Sequence, residues 1–271
     1  MTLDVLICTY NNGIYNIPNL LLDYIPYVKY KISWQQSEDY TNKVPKSIYR
    51  KDVTLSITKG KGLSQNRNNT LKMADSDLCL IADDDAKYDK CLFDNLINYY
   101  KENPKTDILI GKIFNNIRGK DYKKYPLKNK RMNIFNVTKI SSLEISFRSS
   151  ILKDKNITFD ERFGINGKLY NRGEEAIFIS DCLKQGYKVL YEPIIVAIHP
   201  GDGSGANNIF NPQIAKYWGG LCYRIYKDFA FILLPILLFK HHKMYKNNLS
   251  IIEYINEFIL GIKSIKHKLT N

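Results

Sequence analysis

Through roughly the first 200 residues, short apolar runs alternate with stretches whose apolar positions recur every three or four residues. Leu3–Thr9 is a nearly unbroken apolar run closed by the turn-rich YNNG, the pattern of a buried strand. Ile14–Val28 has helical spacing, and Lys31–Trp34 and Val53–Thr58 predict further strands. Ser64–Ala74 predicts a helix entered through Gly62, followed by a strongly buried strand over Asp77–Ala82. Cys91–Tyr100 predicts a helix closed by Pro104, and Asp107–Ile113 and Leu143–Phe147 predict strands. Gly173–Gly186 places Ala176, Ile177, Ile179 and Leu183 at helical spacing with Gly186 as a stop. Val189–Tyr191 and Ile194–Ile198 then predict two short strands. Alternation of this kind implies βαβ units, hence an α/β fold with a mainly parallel sheet covered on both faces.

Two polar segments interrupt the pattern. Arg118–Arg131 is basic and aperiodic, which suits a solvated loop or a flap on the acceptor side. HPGDGSGANN, from His199, is a glycine-rich loop with the composition of a mobile lid. Beyond it the composition shifts, so residues 1–210 are expected to form the main domain and 211–271 a basic helical extension. Asn211–Asn271 holds nine Lys and Arg against three acids. Its longest apolar run, Phe229–Phe239, has 11 residues and contains Pro235. At ~1.5 Å per residue such a run covers about 16 Å, short of the roughly 20 residues a spanning helix needs. Two arrangements stay open: a helix lying in a membrane interface, or a helix pair packed on the main domain.

Composition narrows the classes. A hydrophobic fraction of 44% with 13% aromatics supports a sizeable core and argues against disorder. The net charge of +13 invites polyanionic partners, but part of it reflects a general abundance of Lys, Asn, Ile and Tyr. No nucleic-acid-binding motif accompanies the charge, so nucleic acid is not an expected partner. Cys8, Cys79, Cys91, Cys182 and Cys222 form no CxxC pair and have no His at ligand spacing, which suits a reducing cytoplasm. The first residues lack a basic segment followed by a long apolar one, so a secretory signal is not expected. The expected location is cytoplasmic, with the cytoplasmic face of the membrane as a candidate docking surface.

Three adjacent aspartates, Asp83–Asp85, end the second buried run in SDLCLIADDDAKYD. Adjacent anions repel and resist burial, so packing alone does not favour them. At the carboxyl edge of an α/β sheet they stand where such sheets bind ligands, and carboxylates suit Mg²⁺ or Mn²⁺ bridging to phosphates. The competing reading is a turn whose acids cap the following helix. Strand alternation would send Asp83 and Asp85 to one side and Asp84 to the other.

The segments LDVLICTYNNG, GLSQNRNNTL, DLCLIADDDAKYD, ISFRSSILKDKNITFDERFG, RGEEAIFISDCLKQGYKVLYEP and IHP occur in an order that resembles family 2 glycosyltransferases, from Leu3 to about Gly205. The resemblance implies the GT-A fold, a Rossmann-like α/β architecture, and inverting sugar transfer in bacterial capsule, exopolysaccharide or cell-surface glycan synthesis. It implies a nucleotide-diphosphate sugar donor, of the UDP-linked kind, and a glycan or lipid-linked glycan acceptor. Thr9, Tyr10 and Asn11 would meet the nucleotide, with Arg67 at the donor site. Asp83 to Asp85 resembles the DxD motif: Asp83 toward the nucleoside and the cation, Asp84 within the donor site, Asp85 on the cation. His199 matches a histidine that can complete the metal shell. Glu174 and Glu175 match the family's Glu-Asp pair, whose second member is the base that takes the acceptor proton. Glu175 is the expected base and Glu174 the alternative, because the commoner residue at the second position is Asp.

The stretch SWQQSED stands where many relatives carry a DDGS-like motif, leaving Gln35 or Glu38–Asp39 as candidate substitutes in nucleotide contact. Two rival functions remain. A sugar nucleotidyltransferase would need a basic Gly-rich loop after the first strand, and TYNNGIYN supplies no basic residue. A non-catalytic membrane-associated binding protein would not need both acid clusters.

Overall fold

The structure, a computed structural model, describes residues 1–154, 157–201 and 209–266. The chain divides into two compact units, Met1–Gly201 and Asp202–Asn271.

In the first unit the elements follow as β1 (Leu3–Tyr10), β2 (Val28–Gln36), β3 (Val53–Lys59), α1 (Leu63–Met73), β4 (Leu78–Asp83), α2 (Lys90–Glu102), β5 (Ile108–Asn115) and β6 (Lys120–Asp121). They continue as β7 (Lys130–Arg131), β8 (Ile145–Arg148), α3 (Glu174–Lys184) and β9 (Val189–His199). Among the described residues, nine strands form one sheet in the order β3-β2-β1-β4-β8-β5-β9-β7, with β6 paired to β5. β1 is apolar at nearly every position because it is central and covered on both faces. Asp4 and Thr9 are the buried polar exceptions within it, and the Asp4 carboxylate accepts from Ser76 Oγ and from the backbone N–H groups of Asp75 and Ser76. Leu3, Val5 and Ile7 of β1 join Ile32 and Trp34 of β2, Leu80 and Ala82 of β4, and Phe93 and Leu96 of α2 in one core. Burial of such side chains stabilises by about 1.5–3 kcal/mol each.

The strand order has a consequence for the site. β1 pairs in parallel with β2 on one side and with β4 on the other, so successive connections leave β1 in opposite directions. A crevice opens at the carboxyl ends of strands at such a switch point. The register places Cys8 beside Asp83, so the ends of β1 and β4 stand together there.

The α/β class and the flanked central sheet agree with the sequence reading, but four details differ. The sheet is mixed rather than mainly parallel, because β8 runs antiparallel between β4 and β5. Ile14–Val28 is not an α-helix: it holds two 3₁₀ turns, Asn11–Tyr15 and Ile17–Asn19, before β2 begins. Pro18 and Pro26 remove the backbone donors and restrict the preceding residues that a continuous helix would need. Val189–Tyr191 and Ile194–Ile198 are one strand, whose register against β5 shifts between Tyr191 and Ala197 around Pro193. Arg118–Arg131 is pinned rather than fully solvated: Tyr125 Oη donates to Glu144 Oε1 at 2.7 Å, and Lys123 Nζ lies 2.6 Å from the same oxygen. Of the expected lid, residues 202–208 lie outside the described residues.

The second unit contains α4 (Pro212–Tyr226), α5 (Ala230–Tyr245) and α6 (Ile251–Lys266), the expected helical extension. Asn211 caps α4 by accepting from Ile214 N at 3.1 Å, with Pro212 opening the helix. Ser250 and Glu253 exchange backbone bonds as a capping box at the start of α6. α4 and α6 pack backbone to backbone: a Cβ on Gly219 would overlap Phe258 O, and one on Gly261 would overlap Lys216 O. Beside this crossing, His241 Nδ1 lies 2.9 Å from Tyr254 Oη, under the rings of Trp218 and Phe210. Among the described residues, no helix is long and apolar enough to cross a membrane.

Candidate active site

β4 ends at Asp83 and a turn follows, so strand alternation stops governing the triplet and each carboxylate takes a separate partner. Asp83 Oδ1 lies 3.4 Å from Arg67 Nη2, and its Oδ2 accepts from Ser142 Oγ at 3.1 Å. Asp84 Oδ2 accepts from Thr9 Oγ1 at 2.6 Å. Asp85 Oδ2 lies 3.2 Å from His199 Nε2. The triplet does not cap α2; Asp89 does, accepting from Leu92 N.

Backbone pairing explains why His199 reaches Asp85. Lys87 and Ile198 exchange two hydrogen bonds, 2.8 and 3.0 Å long, that tie the turn after the aspartates to the end of β9. His199 Nδ1 faces the backbone of Gly201 at 3.1 Å, which leaves Nε2 toward Asp85, and Tyr122 stands edge-on to the ring. The His199 contact draws the Asp85 carboxyl below its ordinary range. Burial moves Asp84 the other way, partly offset by the Thr9 bond. The triplet is thus electrostatically divided rather than uniform. A close approach makes the Thr9–Asp84 bond possible: a Cβ on Gly13 would overlap both Thr9 Oγ1 and Asp84 Oδ2.

Arg67, buried on α1, joins the two acid clusters. Its Nη1 lies 2.9 Å from Glu174 Oε1 and 3.3 Å from Glu175 Oε1, while Nη2 faces Asp83. The guanidinium also stands 5.4 Å over the Phe159 ring. Glu174 and Glu175 open α3, where two acids complement the positive end of the helix dipole. Gly173 precedes them in the left-handed region, at φ 92°. The two glutamates differ in access: the Glu174 side chain is 4% exposed and that of Glu175 17%. Glu174 Oε2 is buried with no hydrogen-bond partner among the described residues. Burial first, and then the neighbouring Glu174 charge, push the Glu175 carboxyl well above the usual carboxylate range against the pull of Arg67.

At the end of β1, Asn11 adopts φ 44°, and its side chain bridges to Ser37 through Ser37 N and Oγ. Tyr10 is half-buried, with Lys61 Nζ 5.8 Å from its ring centre. Gln35 is not available to a nucleotide: it is buried, accepts from Gly62 N and donates to Gln65 Oε1. Glu38 and Asp39 are exposed on the loop beyond β2. Ser142 and Asn66, whose Nδ2 donates to Thr9 O at 3.0 Å, join the site without any local sequence signal. Gly13 reads in sequence only as a turn residue; its packing role requires the partner strand. Among the described residues, no group of three or more His, Cys, Asp or Glu side chains is arranged as a metal cage.

A mixed sheet with acids at the carboxyl edge of its switch point, faced by a second acid pair on a helix N-terminus, is the architecture of a GT-A glycosyltransferase. The sequence pattern of Glycosyl transferase family 2 matches residues 4–159, over half of the 271 residues, and the chain belongs to that family. A search of curated proteins finds no match. Among solved structures, that of S. aureus TarS 1-349 superposes with a TM-score of 0.62 at 16% identity, covering 97% of this chain and 81% of that one. A longer S. aureus TarS structure gives a TM-score of 0.64 at 16% identity, and the 97% of this chain that aligns spans about half (49%) of it. The complex of S. aureus TarS 1-349 with UDP-GlcNAc gives 0.61 at 15% identity over 97% of this chain and 82% of that one. At these identities the likeness shows a shared fold.

Proposed function

We propose that this glycosyltransferase moves a sugar, with inversion, from a UDP-linked donor to a glycan or lipid-linked glycan acceptor. The observation that carries the proposal is the single Arg67 side chain contacting acids of both clusters, Asp83 and the Glu174–Glu175 pair. That contact sets a donor-edge acid and a candidate base around one crevice. The fold neighbour crystallised with UDP-GlcNAc and with UDP supports a UDP-linked donor. Capsule or other cell-surface polysaccharide synthesis is the proposed setting.

Thr9, Tyr10 and Asn11 border the nucleoside end, with Asp84 fixing Thr9 through its hydroxyl. Asp83 faces the ribose. Asp85 and His199, a carboxylate and an imidazole nitrogen 3.2 Å apart, are the groups that would hold Mn²⁺ or Mg²⁺. Asp83 is turned to Arg67 and Ser142 and would join them only by leaving those partners. A cation at Asp85 and His199 would supply Lewis-acid neutralisation of the departing diphosphate. Glu175 accepts the proton of the attacking acceptor hydroxyl. Its raised proton affinity suits a base working near neutral pH, and it is the more accessible of the two glutamates. Glu174, held by Arg67 and buried, orients the pair.

The test is a screen of UDP-sugars, followed by UDP release with Mn²⁺, with Mg²⁺ and with a chelator. Metal-dependent UDP release from one donor is expected. Absence of both binding and release for every donor overturns the proposal and favours a non-catalytic binding protein.

A further inference from the structure

α5 is apolar on two opposite faces, and only one is covered. Ala230, Leu237, His241 and Tyr245 are buried and recur at helical spacing, forming the inner stripe. On the outer side, Phe231, Ile232, Ile236 and Phe239 are exposed, Phe239 to 89%. A solvent-facing helix ordinarily presents polar residues there, and a contiguous exposed apolar strip marks an interaction surface. The last turns of the same helix, and the residue after it, add exposed Lys240, His242, Lys243 and Lys246, while α5 contains no acid. Among the described residues, none of these three lysines forms an ion pair.

We propose that this outer face of α5 docks on an anionic lipid bilayer, with the helix lying in the plane of the interface. Charge decides between occupants. A second copy meeting this face brings the same lysines and no acid from its own α5, whereas an anionic bilayer supplies both an apolar layer and negative headgroups. Length decides the orientation: 16 residues at ~1.5 Å rise cover about 24 Å and include Pro235, so α5 lies rather than spans. The proposal is independent of the sugar-transfer reading, because it concerns a different unit and is read by binding alone.

The experiment is flotation of the purified full chain with vesicles of phosphatidylcholine, alone or mixed with phosphatidylglycerol, at two salt concentrations. Flotation with the mixed vesicles, weakened by salt, is expected. Lys240→Ala with Lys243→Ala should weaken it about thirtyfold, near the loss expected for two basic residues at an anionic surface. Phe239→Asp should abolish it, with the thermal melt of both variants unchanged because these side chains are exposed. Three results overturn the proposal: no flotation, equal flotation with neutral vesicles, or unchanged flotation of Phe239→Asp. Self-association that Phe239→Asp abolishes, without vesicle binding, likewise overturns it and assigns the face to a second copy.

Discussion

Arg67 Nη1 lies 2.9 Å from Glu174 Oε1, with both side chains almost fully buried. One cation therefore neutralises a glutamate of α3 while its other nitrogen faces Asp83 at the end of β4. Removing one partner of a buried ion pair leaves an uncompensated charge, at a cost of about 3–5 kcal/mol. Arg67→Met should lower the stability of the first unit by about that amount in denaturant unfolding followed at Trp34. Arg67→Lys keeps the charge but loses the fork that reaches two clusters, so it should lose most transfer activity with a smaller loss of stability.

The two glutamates should separate kinetically. Glu175→Gln should lower kcat by about 10²–10⁴-fold while leaving UDP affinity unchanged, since the base acts in the transition state. Glu174→Gln should lose stability together with activity, because Glu174 is the buried partner of Arg67. If Glu175→Gln retained normal turnover while Glu174→Gln lost it, the base assignment would pass to Glu174.

Activity and stability should respond oppositely to pH at Glu175. Its carboxyl is raised above the ordinary 4.5, so the folded state binds that proton more tightly than the unfolded state. Its contribution to stability is therefore fully present below pH 4.5 and lost as pH rises through the folded value. Transfer needs the deprotonated form and should rise over the same interval. Glu175→Gln should remove this limb from the unfolding profile, measured as stability against pH.

Gly13→Ala should displace Asp84 or Thr9 Oγ1, because a Cβ has no room between them. The expected result is a higher Kd for UDP, read by calorimetry, with a modest change in melting temperature. An unchanged Kd would show that the Thr9–Asp84 bond does not shape the nucleoside end.

The second unit should be acid-labile. Burial pushes the His241 imidazole down from 6.5 to about 4, so the folded unit holds it neutral beside Tyr254, with Lys240 adding like charge. Stability from this source is complete above pH 6.5 and declines as pH falls toward 4. The loss should approach about 3 kcal/mol at the low end, and fluorescence of Trp218 should report it. His241→Gln, which cannot take up the proton, should flatten that decline.

Local sequence determined a good deal. The apolar runs of β1 and β4, the periodicity of α1, α2 and α3, and the position of the acids at strand and helix ends are written in spacing that any short peptide window contains. The family resemblance rests on those same windows. What periodicity misjudged had local causes with longer reach: Ile14–Val28 has helical spacing, yet its prolines break the helix into 3₁₀ turns. Pro193 turns two expected strands into one irregular strand.

Only the tertiary structure decided the partners. Arg67 and Glu174 stand 107 residues apart in sequence, Asp85 and His199 114, and nothing in either neighbourhood names the other. The antiparallel β8, the Lys87–Ile198 bridge and the absent Cβ of Gly13 bring these groups within hydrogen-bond distance. The physical reason is that burial, charge pairing and close approach depend on which strands and helices meet. Sequence periodicity records which face of an element is apolar, but not which neighbour that face finds.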